Sequence, residues 1–215
     1  MEEQQNINQE PEVKQVKKKS LGMEIWEWTY SILLAVVIAL LIKNFLFSTT
    51  IVKGESMLPT LQPNNMLVID RLSQVRGIIP ERGDVITVEA PEATSDEGIA
   101  QYSEVNGIFN KLVHSFTKTL YVKRVIGLPG DKVEIEGNEL RINGELIKED
   151  YINEPMKFSS YFIDDIEVPE GHVFVMGDNR NHSKDSRYFG VVPLEKIEGE
   201  AIFRFWPFNK FGGVK

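Results

Sequence analysis

An apolar block near the N-terminus, from Trp26 to Phe47, constrains this chain more than any other feature of its sequence. The centre of the block, Ile32 to Ile42, contains no polar side chain. Because a helix rises about 1.5 Å per residue, the block would extend about 33 Å, enough to cross a hydrocarbon core of about 30 Å. The sequence therefore predicts one membrane-spanning helix over residues 25–47.

The residues that flank the block indicate its orientation in a membrane. Aromatic side chains such as Trp26 and Phe47 are typical of the two membrane interfaces, and lysines collect on the cytoplasmic side. We therefore expect residues 1–24 to form a cytoplasmic tail and residues 48–215 to form an extracytoplasmic domain. The lysines that precede the block are Lys14, Lys17, Lys18 and Lys19.

Two other interpretations of the block fit its sequence less well. A cleaved signal peptide has a shorter apolar region followed by small residues, whereas Phe45 to Phe47 continue the apolar run. A core helix of a soluble protein would show a polar stripe at helical spacing, and Ile32 to Ile42 has none. The block is therefore interpreted as a membrane anchor.

Beyond the block, short apolar segments alternate with turns rich in glycine and proline. Valine and isoleucine, which favour strands, are frequent in these segments, so the pattern predicts a mainly β domain. Residues 94–118 differ, because Ile108, Leu112, Val113 and Phe116 recur at nearly helical spacing and predict a loop with a short helix. The predicted strands are Ile51 to Val52, Met66 to Asp70, Val85 to Val88, Leu120 to Ile126, Val133 to Ile135, Leu140 to Ile142, His172 to Met176 and Ala201 to Trp206.

Charge and composition exclude several classes of function. Residues 44–215 carry 19 basic and 26 acidic side chains, and such an acidic domain would be repelled by nucleic acid. The chain has no cysteine, which excludes disulfides, thiolate metal sites and thiol nucleophiles. Its three histidines lack metal-binding spacing, and no glycine-rich phosphate loop is present. We therefore expect no metal and no nucleotide cofactor.

A serine and a lysine remain as candidates for catalysis. Ser56 lies in a turn, Gly54 to Leu61, a few residues beyond the apolar block. A serine hydroxyl needs a base, and a lysine that burial keeps neutral can serve as one. Lys123 is the candidate base, because strand periodicity places it on one face with Tyr121 and Val125. Desolvation can lower the pKa of a lysine by about 3 to 5, enough to free the amine near neutral pH.

Two other interpretations of these residues stay open at this point. In a hydrolase of the Ser-His-Asp type, one of the three histidines would lie beside Ser56 in place of Lys123. In a non-enzymatic, membrane-anchored scaffold, Ser56 would only cap a turn and Lys123 would extend from a strand to solvent. The spacing of Ser56 and Lys123 alone does not distinguish these possibilities.

Four sequence blocks resemble, in order, those of bacterial type I signal peptidases. The resemblance extends over about residues 25–208 and implies a catalytic core formed by residues 49–132 and 173–208. It further implies a smaller β-rich insertion at about 133–172 and a variable insertion at 94–118. The four blocks are Gly54 to Leu61, Arg82 to Ile86, Tyr121 to Asp131 and Gly177 to Gly190.

The resemblance implies a role for five side chains. Ser56 matches the nucleophile of the family and Lys123 its general base, in agreement with the candidates drawn from the residues themselves. Ser183 matches a serine that orients the lysine, and Asp185 and Arg187 match an ion pair that supports the site. These correspondences predict a serine endopeptidase with a Ser56/Lys123 dyad.

The resemblance also implies an oxyanion site and substrate pockets. The backbone N–H of Ser56 would donate to the oxyanion. One branch of the family has a serine two residues before the nucleophile, where this chain has Gly54, so the second donor stays open between the Gly54 backbone and a neighbouring group. Shallow apolar pockets would accept small residues before the cut. The residues implied to line them are Val52, Met57, Leu61, Tyr121 and Val122.

The implied substrates are exported preproteins with small residues, typically in the order Ala-x-Ala, before the cleavage point. Cleavage would take place at the outer face of the cytoplasmic membrane, whose lipid would hold the anchor. The resemblance implies no cofactor.

Overall fold

The structure is a computed structural model of the full chain, and it describes residues 21–94, 98–107, 110, 114, 118–157 and 165–214. For residues 40–45 only the backbone is described. The chain divides near residue 41 into two compact units. The first contains most of the N-terminal helix, and the second contains every strand that the structure describes.

The N-terminal helix, α1, spans Leu21–Phe45. It begins four residues before the predicted start at residue 25 and ends two residues before the predicted end at residue 47. Within the described chain, Leu21–Ala39 is the one helical stretch that is long and apolar enough to cross a membrane. The side chains along this stretch are exposed, which leaves its apolar surface uncovered by protein. The prediction of a single N-terminal apolar helix is confirmed.

The remainder of the described chain is mainly β, as predicted, and each of the eight predicted segments overlaps an observed strand. Short helices accompany the strands: the α-helices α2 at Leu72–Val75 and α3 at Ser186–Phe189, and 3₁₀ turns at Arg180–His182, Leu194–Lys196 and Phe208–Lys210. The strands are β1 Phe47–Ile51, β2 Met66–Asp70, β3 Val85–Glu89, β4 Ala93–Thr94, β5 Ala100–Gln101, β6 Leu120–Gly127, β7 Lys132–Glu136, β8 Glu139–Ile142, β9 Glu145–Leu146, β10 Asp165–Glu167, β11 His172–Met176, β12 Val192–Pro193, β13 Ile197–Trp206 and β14 Gly212–Gly213.

The largest sheet has eight strands in the order β1-β2-β13-β3-β6-β11-β12, with β14 paired to β13. Neighbouring strands are antiparallel throughout. Both faces of the sheet are covered, because Tyr121 and Val125 of β6 pack in one hydrophobic cluster and Val122 packs in another. β6 therefore runs through the interior of the domain, between β3 and β11.

A smaller sheet, with strand order β10-β7-β8-β9, lies within the region predicted as an insertion. Its buried side chains, including Val133, share a hydrophobic cluster with Ile126 and Phe174 of the large sheet. The junction depends on Gly127, where a Cβ atom would lie 2.7 Å from Val133 and 3.1 Å from Phe174. A residue with a Cβ atom at position 127 could not bring the two sheets so close, and the two sheets share one hydrophobic cluster.

The region 94–118 is described only in part. A two-stranded hairpin of β4 and β5, which the sequence did not predict, occupies its beginning. The residues that predicted a short helix, Ile108, Leu112, Val113 and Phe116, lie outside the described residues. The three lysines nearest the anchor, Lys17 to Lys19, also lie outside them.

Candidate active site

Ser56 lies in the irregular turn between β1 and β2. Within the turn, the Leu58 N–H donates to the Glu55 carbonyl (3.1 Å) and the Leu61 N–H donates to the Met57 carbonyl (2.8 Å). The side chains of Met57 and Leu61 are buried in the hydrophobic core and anchor the turn against the sheet. Ser56 itself is half-buried and borders a cleft, so its hydroxyl is held at an accessible position.

Lys123 reaches Ser56 because of the pairing of β6 with β3, in which Lys123 lies opposite Ile86. Its Nζ lies 2.8 Å from Ser56 Oγ and 5.4 Å from the centre of the Tyr121 ring. Lys123 is 3% exposed. The fold thus joins the two candidate residues, 67 positions apart in sequence, by one part-buried hydrogen bond.

Burial is the main influence on the Lys123 amine and lowers its pKa to about 8 from an ordinary value of 10.5. Nearby charges act more weakly: Asp185 and Asp178 raise this pKa, and Arg187 lowers it. With a pKa of about 8 the amine is neutral in about one molecule in ten at pH 7, against about one in 3,000 for an ordinary lysine. Such an amine can accept the proton of the Ser56 hydroxyl.

Ser183 lies in the loop that follows β11. Its Oγ is buried without a hydrogen-bond partner of good geometry among the described residues, although the hydroxyl helps to lower the pKa of Asp185. A Cβ atom on Gly177 would collide with Ser183 Oγ and with the Ser56 carbonyl oxygen. Gly177 therefore lets the loop approach Ser56 closely, a role that the sequence did not reveal.

The predicted pair of Asp185 and Arg187 is present and fully buried. Arg187 Nε and Nη2 donate to the two carboxylate oxygens of Asp185, each at 2.8 Å. Asp185 also accepts a hydrogen bond of 2.9 Å from the Gly177 N–H. Burial raises the pKa of Asp185, but the hydrogen bonds and the charge of Arg187 outweigh it, so the pKa lies below its ordinary value.

A second buried ion pair was not predicted from the sequence. Arg124 Nε and Nη2 donate to the two oxygens of Asp178, at 2.8 and 2.7 Å. Thr60 Oγ1 donates to the same carboxylate at 2.5 Å, and Arg124 Nη1 donates to the Gly83 carbonyl at 2.7 Å. Strand periodicity placed Arg124 on the face opposite Lys123 but offered no partner for it. The only available signal was that both members of the pair lie in the family-like blocks.

A cleft of about 600 Å³ opens at Ser56 and Lys123. Gly54 also borders it, with open space where a Cβ atom would lie. Leu61, predicted to line a pocket, instead packs in the core and is not part of the cleft wall. The other four predicted substrate-binding residues line the cleft: Val52, Met57, Tyr121 and Val122.

Among the described residues, no histidine or carboxylate forms a hydrogen bond with the Ser56 hydroxyl. Within the part of the chain that the structure describes, Ser56 Oγ bonds only to Lys123. His182 borders the cleft, whereas His114 lies 3.6 Å from Glu89 and His172 contacts a backbone carbonyl. Among those same residues, no group of three His, Cys, Asp or Glu side chains could hold a metal ion.

The known proteins that are similar to this chain all carry the same family description. A family model described as "Signal peptidase, peptidase S26" matches residues 25–206. The chain is 36% identical over 207 residues to a signal peptidase I of Bacillus licheniformis, a match that covers 93% of this chain and 96% of that protein. It is 38% identical over 210 residues to one of Bacillus amyloliquefaciens, with 94% and 95% covered. A signal peptidase I of Leptolyngbya laminosa is 37% identical over 179 residues, with 83% and 78% covered. This chain therefore belongs to the signal peptidase family, peptidase S26.

Proposed function

We propose that this chain is a membrane-anchored serine endopeptidase that removes N-terminal signal peptides from exported preproteins. The observation that carries the proposal is the part-buried hydrogen bond of 2.8 Å between Lys123 Nζ and Ser56 Oγ. Membership of the signal peptidase family, with relatives named signal peptidase I, supports the class of substrate.

In the first step, neutral Lys123 accepts the Ser56 hydroxyl proton while Oγ attacks the carbonyl carbon of the scissile peptide. The carbonyl electron pair moves to oxygen and forms an oxyanion. The backbone N–H of Ser56 donates to no acceptor among the described residues, so it is available to the oxyanion. One such donor contributes about 3 kcal/mol to transition-state stabilisation, and the Gly54 backbone is the candidate for a second.

In the second step, the C–N bond breaks and the Lys123 ammonium gives its proton to the leaving amine. The signal peptide stays bound to Ser56 Oγ as an ester. Lys123, neutral again, then takes a proton from water as the water oxygen attacks this ester. The signal peptide leaves with a free carboxylate, and Ser56 recovers its proton from Lys123.

The remaining predicted residues support the dyad. We propose that Ser183 Oγ, which is buried without a partner of good geometry among the described residues, turns toward the Lys123 amine and selects the lysine rotamer that points at Ser56. Asp185 and Arg187 hold the loop that carries Ser183, through the Asp185 bond to the Gly177 N–H. None of these side chains exchanges a proton with the substrate.

The substrate binds as an extended strand with small residues, of the Ala-x-Ala type, before the cut. β1 is the edge strand of the large sheet, and its end at Thr50 and Ile51 borders the cleft. An added strand would form main-chain hydrogen bonds there, while the wall formed by Val52, Met57 and Tyr121 would select side chains. We expect this wall to admit small side chains and to exclude large ones.

The anchor places the N-terminus in the cytoplasm and the peptidase domain outside, because lysines precede α1 in the sequence. Only eight residues lie between Phe47 and Ser56, so the tether raises the effective concentration of preproteins that emerge from the membrane. Protease added to intact spheroplasts should digest the chain beyond residue 50. Protection of that part of the chain would contradict the orientation.

The function is tested with the full chain in detergent and a preprotein that carries an Ala-x-Ala site. Wild type should release a product whose new N-terminus follows that site, as read by mass spectrometry. Ser56→Ala should release none while keeping its circular dichroism and thermal midpoint, and Ser73→Ala in α2 serves as the control.

Two results would contradict the proposal. Loss of turnover when the three histidines are replaced together would indicate a Ser-His-Asp hydrolase. Absence of cleavage by wild type would indicate a scaffold.

A further inference from the structure

A segment of the insertion, residues 149–157, contacts the loop that follows β11. Arg180, in that loop, has a side chain with no exposed surface and donates to both oxygens of Glu149, at 2.6 and 2.5 Å. The Glu149 side chain is 6% exposed, so the pair is formed away from solvent. A segment outside the predicted catalytic core therefore supplies the counter-ion of a buried arginine in the fourth family-like block.

Tyr151 joins this contact to the second ion pair of the site. Its hydroxyl donates to Glu149 Oε1 at 2.7 Å, and its ring lies 4.2 Å from the Arg124 guanidinium and 5.9 Å from that of Arg180. Burial raises the pKa of the hydroxyl, which keeps it a neutral donor. Two residues of the insertion thus orient two buried arginines.

The arginines in turn hold the backbone next to the nucleophile. Arg180 Nε donates to the Gly177 carbonyl at 3.0 Å, and the Asn179 N–H, between these two residues, donates to the Ser56 carbonyl at 2.9 Å. Asn179 Nδ2 also donates to the Glu55 carbonyl at 3.1 Å. The loop is consequently hydrogen-bonded to the backbone of Ser56 and of the preceding residue, Glu55.

We infer that Glu149 and Tyr151 are positioning residues for the dyad, which act by fixing the loop from Gly177 to Arg180 against the Ser56 turn. The inference rests on the proposed peptidase function. Neither residue touches the reacting atoms, and the cleft wall includes neither of them. Their effect on catalysis passes through Arg180 and Asn179 to the Ser56 carbonyl.

Loss of Glu149 has a defined physical consequence. A guanidinium cannot release its proton, so a buried arginine without its carboxylate draws in water or moves toward solvent. Either response moves the loop, and a displacement of about 1 Å near reacting atoms costs about 10²-fold in rate. Water that enters would also raise the pKa of Lys123, since burial is the main cause of its low value.

The test measures kcat, KM, thermal midpoint and the pH dependence of kcat for Glu149→Gln, with an Ala-x-Ala preprotein. We expect kcat to fall about 10²-fold with KM changed less than about 3-fold, because the cleft wall stays intact. The rise of kcat with pH should move to higher pH. The charges that face Lys123, those of Asp185, Asp178 and Arg187, remain in this variant.

The matched control is Glu154→Gln, which removes a carboxylate from the same segment. Glu154 accepts a hydrogen bond of 2.8 Å from Asn181 at the protein surface, so its loss should leave kcat and the pH profile unchanged. Tyr151→Phe keeps the ring and removes one hydrogen bond, and should lower kcat about 2- to 10-fold. This milder variant tests the inference if Glu149→Gln does not fold.

A double variant checks that the residues act through one path. Glu149→Gln combined with Arg180→Gln should be no slower than the slower single variant, because both changes release the same loop. Additive losses would overturn the inference, and so would a lower thermal midpoint with unchanged kcat and pH profile. A wild type that cleaves no preprotein overturns the proposed function and this inference with it.

Discussion

Two buried regions of the domain differ in whether their basic side chains are paired with carboxylates. In the dyad, Lys123 has the Ser56 hydroxyl as its hydrogen-bond partner and no carboxylate within hydrogen-bond distance among the described residues. In the second region, which we call the arginine pairs, each guanidinium donates twice to a carboxylate. The arginine pairs are Arg124–Asp178, Arg180–Glu149 and Arg187–Asp185.

The difference explains how one interior could hold both the proposed base and a fixed set of charges. Burial without a paired carboxylate favours the neutral amine of Lys123, whereas a paired carboxylate preserves both charges. Arginine keeps its proton at any workable pH, so it suits the fixed set of charges, and lysine can release its proton, so it suits the dyad. Lys123 and Arg124 are neighbours in β6 and point to opposite faces of the sheet.

Lys123→Arg should have the largest effect, because it puts a permanent charge where the proposed mechanism needs a neutral amine. We expect kcat/KM to fall about 10⁴-fold or more, as for loss of a catalytic base elsewhere. Lys132→Arg in β7, whose side chain is half-exposed, is the control. Initial rates on an Ala-x-Ala preprotein provide the measurement, and an active Lys123→Arg enzyme would eliminate Lys123 as the base.

Asp185→Asn removes the charge from one member of the arginine pairs without changing its shape. The free energy of unfolding should fall by about 3 to 5 kcal/mol, as when one partner of a buried pair is lost. Asp185 raises the pKa of Lys123, so its loss should also move the rise of kcat to lower pH. Denaturant titration and a pH profile measure the two effects, with the exposed Asp165→Asn as control. An unchanged unfolding midpoint would contradict this account.

Ser183→Ala tests whether Ser183 orients the Lys123 amine, which has no carboxylate partner among the described residues. We expect kcat to fall about 5- to 150-fold, the equivalent of one buried hydrogen bond, with little change in thermal midpoint. Ser186→Ala is the matched control, because Ser186 Oγ accepts a bond of 2.9 Å from the Val175 N–H. That variant should lower stability more than kcat. Unchanged kcat in Ser183→Ala would show that Ser183 does not orient Lys123.

The pH profile of the wild type tests Lys123 as the base without any substitution, and it has the smallest expected effect. Since Lys123 must be neutral, kcat/KM should rise about tenfold from pH 7 to pH 9, through its pKa of about 8, and persist into the alkaline range. A histidine base, with an ordinary pKa near 6.5, would already be about three-quarters neutral at pH 7, so the rate would rise less than about 1.5-fold above that pH. A rate that does not rise between pH 7 and 9 would contradict a lysine base.

Most of the strand positions could be predicted from the sequence because strand periodicity is local. β2 and β11 match the prediction residue for residue, whereas β13 begins at Ile197, four residues before the predicted start. The predicted start was late because Glu198 and Glu200 interrupt the apolar run. Their side chains alternate with the buried Ile197, Gly199 and Ala201.

The supporting residues of the site could be predicted only in part. Asp185 and Arg187 are two positions apart, and the resemblance to a family indicated their pairing. Arg124 and Asp178 are 54 positions apart, and Glu149 lies 31 positions before Arg180. No local pattern connects residues at such distances, because each pair forms only when separate strands and loops have packed.

The apolar helix, the mainly β character of the domain and the two candidate residues of the dyad could all be predicted from the sequence alone. These follow from apolar runs, from period-two alternation and from motifs, all of which are local. The burial of Lys123 beside Ser56 and the pairing of three nearby arginines with carboxylates became visible only in the tertiary structure. Desolvation and ion pairing depend on which groups surround a side chain in space, and packing sets that surrounding.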